Sequence, residues 1–427
     1  MIEDTQKNMD EKQIKNQIFE IPRFTDKRRW FSDGRFGLFI HWGIYAVGGL
    51  QEQEFQRYGR NFSEYNRYIP RFRAEKFDPE KWLDQAQAAG MEYLVFTSKH
   101  HDGFCMWDTN TTDYNVMHTA FGRDPIAELT AACKKRNFPL MIYYSCLDWH
   151  HPAYPNIGRH HETVTDPSLH NMEQYMEYVK SQVHELCTRY DGVYGIWWDM
   201  NVPEDEFPEI NQMVRKLIPG GMVNSRGWGK GDTITPERDF NPIDPSVVTF
   251  TEPTECCDSI GLNSWGFRQE EDYYTADELK RRLVRSLARG GNYLLNIGPQ
   301  ANGELPQQGI ELLTGIGSWY NKVKSALTAP PCTIGIAKPD LFFTAGSARE
   351  LNIIINHPLE STTLDLRPLT ILPVEAVVLN NGTHLEITAE PVIYHKALGK
   401  TVRLRGIPCQ AGAEPTVISL KFDQNIF

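Results

Sequence analysis

Asp199 is the residue around which chemistry is most readily built. It directly follows Val193-Tyr194-Gly195-Ile196-Trp197-Trp198, an apolar run that reads as a strand buried on both faces. A carboxylate at the end of such a strand must be solvated or paired in a pocket, and one held there can act as nucleophile or base. The position also suits a helix N-cap or a strand-end salt bridge. Nucleophilic attack on a sugar with retention needs a second carboxyl, which protonates the leaving oxygen and then activates water. Glu252, Glu255, Asp258, Glu270 and Glu271 stand together after a short apolar run at 247–250, and their pattern does not choose among them.

Histidines and aromatics surround this core of acids. His100-His101-Asp102 follows an apolar run at 93–96, where the imidazoles can bond sugar hydroxyls while Asp102 orients a ring. His150-His151 and His160-His161 keep a metal site open as an alternative. The H-E-x-x-H pattern is absent, however, as is an H-x-H on the first strand, so sugar contact is preferred for His100 and His101. Arg226, in Val223-Asn224-Ser225-Arg226-Gly227, is a cation that would keep a neighbouring carboxylate ionised. Aromatic residues make up 11% of the chain, and ten are tryptophans, several beside acids or histidines as in His41-Trp42 and Trp197-Trp198-Asp199. Rings beside carboxylates suit a sugar, whose C–H faces pack on aromatics while its hydroxyls need polar partners.

The elements that must position these groups alternate. Strand-like runs at 36–40, 93–96, 140–144, 193–198 and 293–297, with weaker ones at 222–223 and 247–250, are separated by helical patterns at 79–89, 124–136, 168–190 and 275–289. Asp124 with Pro125 and the capping box Thr275-x-x-Glu278 mark helix starts, and Gly90 marks a stop. This rhythm implies a parallel sheet, and about eight strands over about 300 residues imply a (β/α)8-type barrel, regular or irregular. In a barrel the polar residues just past each strand share the C-terminal face, so His41, His100, His101, Tyr144, Asp199 and Arg226 would converge. A doubly wound sheet is the rival, but no Gly-rich dinucleotide fingerprint is present. Gly290-Gly291-Asn292 through Gly298 joins a helix stop to a strand, with Asn296 in reach of the pocket.

Beyond Pro330-Pro331 the character changes to short β-rich runs broken by turns such as Asn380-Asn381-Gly382, which reads as a small antiparallel β-sandwich. The organisation is therefore a polar lead-in at 1–24, a barrel at 25–330 and a sandwich at 331–427. The length of 427 residues, with 41% hydrophobic and 23% charged residues, is that of a globular chain. A net charge of −11 without a Lys/Arg block argues against nucleic acid or an anionic membrane surface as main partner. No apolar run is long enough to span a membrane, and the first twenty residues do not read as a signal peptide. Eight cysteines without a C-x-x-C pair read as buried free thiols.

The motifs Phe36-Gly37-Leu38-Phe39-Ile40-His41-Trp42-Gly43, Lys99-His100-His101-Asp102-Gly103-Phe104, Trp197-Trp198-Asp199 and the 290–303 segment (GGNYLLNIGPQANG) stand in one order along the chain. Together they resemble the α-L-fucosidases of glycoside hydrolase family 29, over about residues 25–330. The resemblance implies removal of terminal α-L-fucose from fucosylated oligosaccharides or glycoconjugates, with retention and with neither metal nor cofactor. It implies Asp199 as nucleophile and His41, His100, His101, Tyr144, Trp197 and Arg226 as sugar contacts, with Tyr143 as the alternative to Tyr144. The Glu-Trp pair of many members is matched nearest by Glu54-Phe55. A Trp-Glu-x-Cys-like segment followed by Ser-Trp-Gly-Tyr is matched by Thr254-Glu255-Cys256-Cys257 and Ser264-Trp265-Gly266-Phe267, which assigns the acid/base to Glu255 and a sugar contact to Trp265. Glu252, Glu270 and Glu271 remain open as acid/base. Two other classes are a metal-dependent barrel hydrolase built on the histidine pairs, and a sugar-binding relative without turnover.

Overall fold

The computed structural model describes residues 16–156, 161–163, 165–200, 206–238, 248–336, 338, 340–367, 369–391, 400–409 and 414–427. Among these residues, seven strands form one parallel sheet: β1 (Phe36–Ile40), β2 (Tyr93–Lys99), β3 (Leu140–Ser145), β4 (Val193–Asp199), β5 (Met222–Val223), β6 (Glu255–Ser259) and β7 (Asn292–Ile297). Their order across the sheet is β5-β4-β3-β2-β1-β7-β6. Every residue of β1, β2, β3, β6 and β7 is buried, as expected of strands covered by helices on one side and by a filled barrel on the other.

The sheet curls so that residues 232–238 bridge its two edges. Asn224 beyond β5 pairs in parallel with Thr233, while Ile234 and Glu237 pair in parallel with Thr254 and with Cys257 of β6. The Glu255 amide donates to the Ile234 carbonyl at 2.9 Å, and the Cys257 amide to that of Pro236 at 3.0 Å. This segment occupies the eighth strand position, and Pro236, lacking an N–H, prevents a regular ladder there.

Helices α1 (Pro79–Ala88), α2 (Pro125–Lys135), α3 (Met172–Thr188), α4 (Pro208–Leu217), α5 (Ala276–Leu287) and α6 (Gln307–Thr328) cover the sheet. Asp78, Asp124, Asn171 and Thr275 cap the starts of α1, α2, α3 and α5 through their side chains, each accepting from an otherwise unpaired first-turn amide. The helix expected from residue 168 therefore begins only after Asn171. The strand expected at 247–250 does not form at 248–250, and Val247 lies outside the described residues. The strand is instead β6, whose Glu-Cys-Cys-Asp-Ser sequence has no β-branched residue and two acids. It is stabilised because Arg282 of α5 pairs with the outward Asp258 at 2.9 Å and the inward Glu255 is fully hydrogen-bonded.

After α6 an antiparallel five-stranded sheet and an antiparallel three-stranded sheet share a second core that includes Leu351, Ile353, Val402, Leu404, Ile418 and Leu420. The lead-in contributes a two-residue strand, Gln17–Ile18, which pairs antiparallel with Cys332–Thr333 at the junction. Seven cysteines are buried free thiols, and Cys409 is exposed.

Candidate active site

The barrel interior is packed by Phe39, Tyr93, Val95, Met141, Tyr143, Trp197, Met222, Cys257 and Leu294. Above this layer, at the C-terminal ends of the strands, opens a pocket of about 410 Å³. His41 enters it just past β1, His100 and His101 just past β2, Tyr143 from β3, and Trp197 and Asp199 from β4. Arg226 comes from the turn after β5, Glu237 and Arg238 from the bridging segment, and Trp265 from the loop after β6.

Asp199 is held on both oxygens. Arg226 donates to Oδ1 from Nε at 2.9 Å and from Nη2 at 2.7 Å, and the Tyr143 hydroxyl donates to Oδ2 at 2.7 Å. Burial works against the charge, but the Arg226 cation and the Tyr143 hydrogen bond outweigh it and hold the carboxyl below the usual aspartate range. The same Arg226 Nη2 lies 2.9 Å from Glu237 Oε2. Two oxygens at 2.7 and 2.9 Å from one nitrogen are no more than 5.6 Å apart, so the Asp199 and Glu237 carboxylates face each other across a single guanidinium.

The histidines are arranged as neutral rings. The Asn296 amide donates to the Trp265 carbonyl at 2.6 Å, which turns its oxygen to His41 Nδ1 at 2.7 Å. Ser145 donates to the Leu147 carbonyl at 2.7 Å, which leaves its oxygen to accept from His101 Nδ1 at 2.8 Å. Both rings therefore carry the proton on Nδ1 and leave Nε2 as an acceptor. Burial lowers His41 to about 4 and pushes His100 and His101 well below the ordinary imidazole value. His100 Nδ1 is buried with no hydrogen-bond partner among the described residues.

Of the expected contacts, His41, His100, His101, Trp197, Asp199, Arg226 and Trp265 meet in the pocket. Three expectations are corrected. Tyr144 points outward, its hydroxyl donating to Gln182 of α3 at 2.7 Å, and the inward tyrosine is Tyr143. Glu54 is buried away from the pocket and accepts from the Tyr68 hydroxyl at 2.7 Å. The pocket glutamate of that loop is Glu52, whose Oε2 accepts the backbone amides of Trp265 and Gly266 at 2.9 and 2.8 Å and so fixes the loop that presents the Trp265 ring. Glu255 does not line the pocket. It starts β6, at the opposite end of the strand from the site, and both its oxygens accept from barrel side chains.

Glu252 and Glu270 are exposed and outside the pocket, Glu271 bonds Ser264 and the Asn263 amide, and Asp258 faces α5. His150 stacks on Tyr114 with ring centroids 3.9 Å apart, and His151 packs against Tyr178. His160 lies outside the described residues, while His161 lines the pocket and stacks on His101. Among the described residues no three His, Cys, Asp or Glu side chains group as a metal site. Glu237 was not singled out from sequence. Its signal was the Thr233-Ile234-Thr235 triplet, which supplies the strand that an eight-strand count lacks between β5 and β6.

A carboxylate held by arginine and tyrosine, facing a second carboxylate above an aromatic-floored barrel, defines a barrel glycoside hydrolase. The chain matches the α-L-fucosidase family over residues 4–324, and it belongs to that family. It is 31% identical to the tissue α-L-fucosidase of Rattus norvegicus over 326 residues, which is 68% of this chain and 67% of that protein. With the tissue α-L-fucosidase of Homo sapiens it shares 29% identity over 401 residues, 85% of this chain and 83% of that protein. Its fold is similar to that of α-L-fucosidase isoenzyme 1 from Paenibacillus thiaminolyticus, with a TM-score of 0.81 and 28% identity over 93% of this chain and 99% of the other. A glycoside hydrolase family 29 α-L-fucosidase of Bacteroides thetaiotaomicron aligns with a TM-score of 0.77 and 26% identity, over 95% of this chain and 98% of the other. That protein was captured as a trapped covalent intermediate with 2-fluoro-fucosyl fluoride, in a Glu→Gln variant.

Proposed function

We propose that this protein hydrolyses terminal α-L-fucosides of fucosylated glycans by double displacement, with Asp199 as nucleophile and Glu237 as acid and then base. The observation that carries the reading is the shared Arg226 nitrogen, which limits the nearest Asp199 and Glu237 oxygens to 5.6 Å. Retaining glycosidases keep their carboxyls about 5–5.5 Å apart, whereas inverting ones need about 6.5–9.5 Å to admit a water.

In the first step an Asp199 oxygen attacks the anomeric carbon, the bond from that carbon to the leaving oxygen breaks, and the Glu237 proton passes to that oxygen. The Glu237 carboxylate left by that transfer then takes a proton from water as the water oxygen attacks the anomeric carbon. The bond to Asp199 breaks and fucose leaves with its configuration retained. The neutral Nε2 atoms of His41 and His101 are acceptors for sugar hydroxyls, and the unpartnered Nδ1 of His100 is a further polar atom for the sugar to satisfy. Trp197 and Trp265 supply apolar surface.

The test is release of 4-nitrophenol from its α-L-fucoside by wild type, Asp199→Ala and Glu237→Gln, with and without EDTA. Wild-type turnover that survives EDTA and falls by at least about 1,000-fold in Asp199→Ala is expected. Glu237→Gln should lose more activity on an oligosaccharide than on the aryl fucoside, and azide, which needs no base, should restore aryl fucoside turnover with retained configuration. Wild-type-like turnover by Asp199→Ala refutes the nucleophile, chelator-sensitive turnover refutes the metal-free mechanism, and an unaffected Glu237→Gln refutes the acid/base.

A further inference from the structure

Glu255 is a glutamate 1% exposed in the interior of the barrel, and the proposed reaction does not use it. Its place is set by three strands. It opens β6 in register with Asn292, the first residue of β7. Its Oε1 accepts from the Tyr93 hydroxyl of β2 at 2.6 Å, and its Oε2 accepts from the Trp197 indole N–H of β4 at 2.7 Å. Tyr93 reaches it because β1 carries Gly37 alongside, where a Cβ would fall 2.4–2.8 Å from the tyrosine ring. Two donors from different strands thus fix the carboxylate, and the carboxylate fixes the indole.

The indole in turn supports both groups that hold Asp199. Its plane stacks on Tyr143 with centroids 5.6 Å apart and a 19° tilt, and the Arg226 guanidinium lies 5.6 Å from its centroid. Phe39 closes one side at 4.9 Å. An indole N–H can only donate, and at this depth a rotation away from Glu255 would leave it unpaired. We propose that Glu255 is a positioning residue: it anchors Trp197, and through that ring it sets Tyr143 and Arg226 against the Asp199 carboxylate. The inference rests on the reading of Asp199 as nucleophile, and it assigns the buried glutamate to the geometry of the site and not to proton transfer.

Conservative and disruptive substitutions separate the two roles. In Glu255→Gln the amide oxygen still accepts from Trp197 while the amide N–H donates to the Tyr93 oxygen. Glu255→Leu keeps the volume but leaves both partners unpaired. Kinetics would be measured on the full chain with 2-chloro-4-nitrophenyl, 4-nitrophenyl and methyl α-L-fucosides, beside Glu237→Gln. Glu255→Gln is expected within about threefold of wild type in kcat/KM on all three, because the bond that anchors Trp197 is kept. Glu255→Leu should lose roughly 10- to 100-fold by the same factor for each leaving group, with no rescue by azide.

Two kinetic results with the Glu255 variants overturn the proposal. One is a Glu255→Gln variant as impaired as Glu255→Leu, with a loss that grows as the leaving group worsens and is rescued by azide. The other is full activity in Glu255→Leu. If Glu255→Leu does not fold, Trp197→Phe removes the same hydrogen bond from the other side. It should show the same leaving-group-independent loss, and full activity there is equally fatal. A readout independent of turnover is the titration of Asp199 followed by carbon-13 NMR of labelled aspartate. Its pKa should rise by about one unit in Glu255→Leu and stay unmoved in Glu255→Gln. That shift without fucoside turnover in wild type would sink the fucosidase reading alone, and no shift would sink the positioning role.

Discussion

Tyr143→Phe removes one oxygen from the site and leaves the rest of the ring in place. The ring is stacked on Trp197 at 5.6 Å and on His100 at 5.8 Å, so its packing survives the change. What is lost is the hydroxyl bond to Asp199 Oδ2 at 2.7 Å. Burial drives the Tyr143 phenol well above its ordinary value, so it is a donor throughout the working range, and its bond favours the charged form of Asp199. A hydrogen bond to a charged group contributes about 1.5–3 kcal/mol, and one pKa unit corresponds to about 1.4 kcal/mol. Asp199 should therefore rise by about one to two units, with the Arg226 fork retaining the remainder. The assay is the pH profile of kcat/KM on 4-nitrophenyl α-L-fucoside, whose acidic limb reports the proposed nucleophile, Asp199, in the free enzyme. The limb should move toward neutral by that amount. The fold carries a matching signature. A depressed carboxyl contributes stability above its unfolded pKa that is lost as pH falls through its folded pKa. The variant should thus have a lower Tm near neutrality, with the deficit closing in acid. A limb that stays in place while Tm falls would refute the claim that Tyr143 tunes the nucleophile.

Arg226→Lys replaces a fork that bonds Asp199 through two nitrogens and Glu237 through one of them with a single point charge. Losing one charge-assisted bond and the shared alignment should cost about 100-fold in kcat/KM, and retention of full activity would refute the bridging role. Asp102, beyond the pocket, accepts from Tyr65 at 2.7 Å and from the Phe104 amide at 3.1 Å, and burial raises it to about 7. A raised carboxyl contributes stability below its unfolded pKa that is lost as pH climbs through the folded one. Asp102→Asn should therefore flatten the pH dependence of the unfolding free energy between about pH 4 and 7 by an amount of order 4 kcal/mol, and an unchanged slope in denaturant unfolding across that range would refute it.

Residues one step past an apolar strand were legible, and the reason is mechanical. A parallel strand buried on both faces is a continuous apolar run, so the next polar residue must sit on the face where the site forms. His41 and Asp199 follow from that alone, whereas His100 and His101 come after the buried polar residues Thr97, Ser98 and Lys99 that end β2, and Arg226 lies three residues past its strand. The same double burial hides orientation within the strand. Tyr143 and Tyr144 are both fully buried, one against Asp199 and one against α3, and nothing in the run distinguishes inward from outward. The parity is set by register: Tyr143 pairs with Trp197, and both face inward. Glu52 was hidden for a different reason. Its loop is held by two backbone amides more than two hundred residues away, so no local pattern separates it from Glu54.

The resemblance assigns Glu255 as acid/base, and a strand at 247–250 would place it where that role needs it. Val247-Val248-Thr249-Phe250 has the β-branched look of a strand, yet 248–250 is not one, while Glu255–Ser259 carries two acids and is. Taking 247–250 as the strand puts Glu255 just past its end, at the site. Moving the strand to 255–259 puts the same residue at the far end of the barrel, and the active-site end of the missing eighth strand falls at Glu237. Since a barrel needs a chain segment between β5 and β6 to close, the Thr-Ile-Thr-Pro-Glu sequence at 233–237 had to be weighed as that segment despite its proline. Closure of the sheet, and not the composition of any one run, is what decides which glutamate faces Asp199.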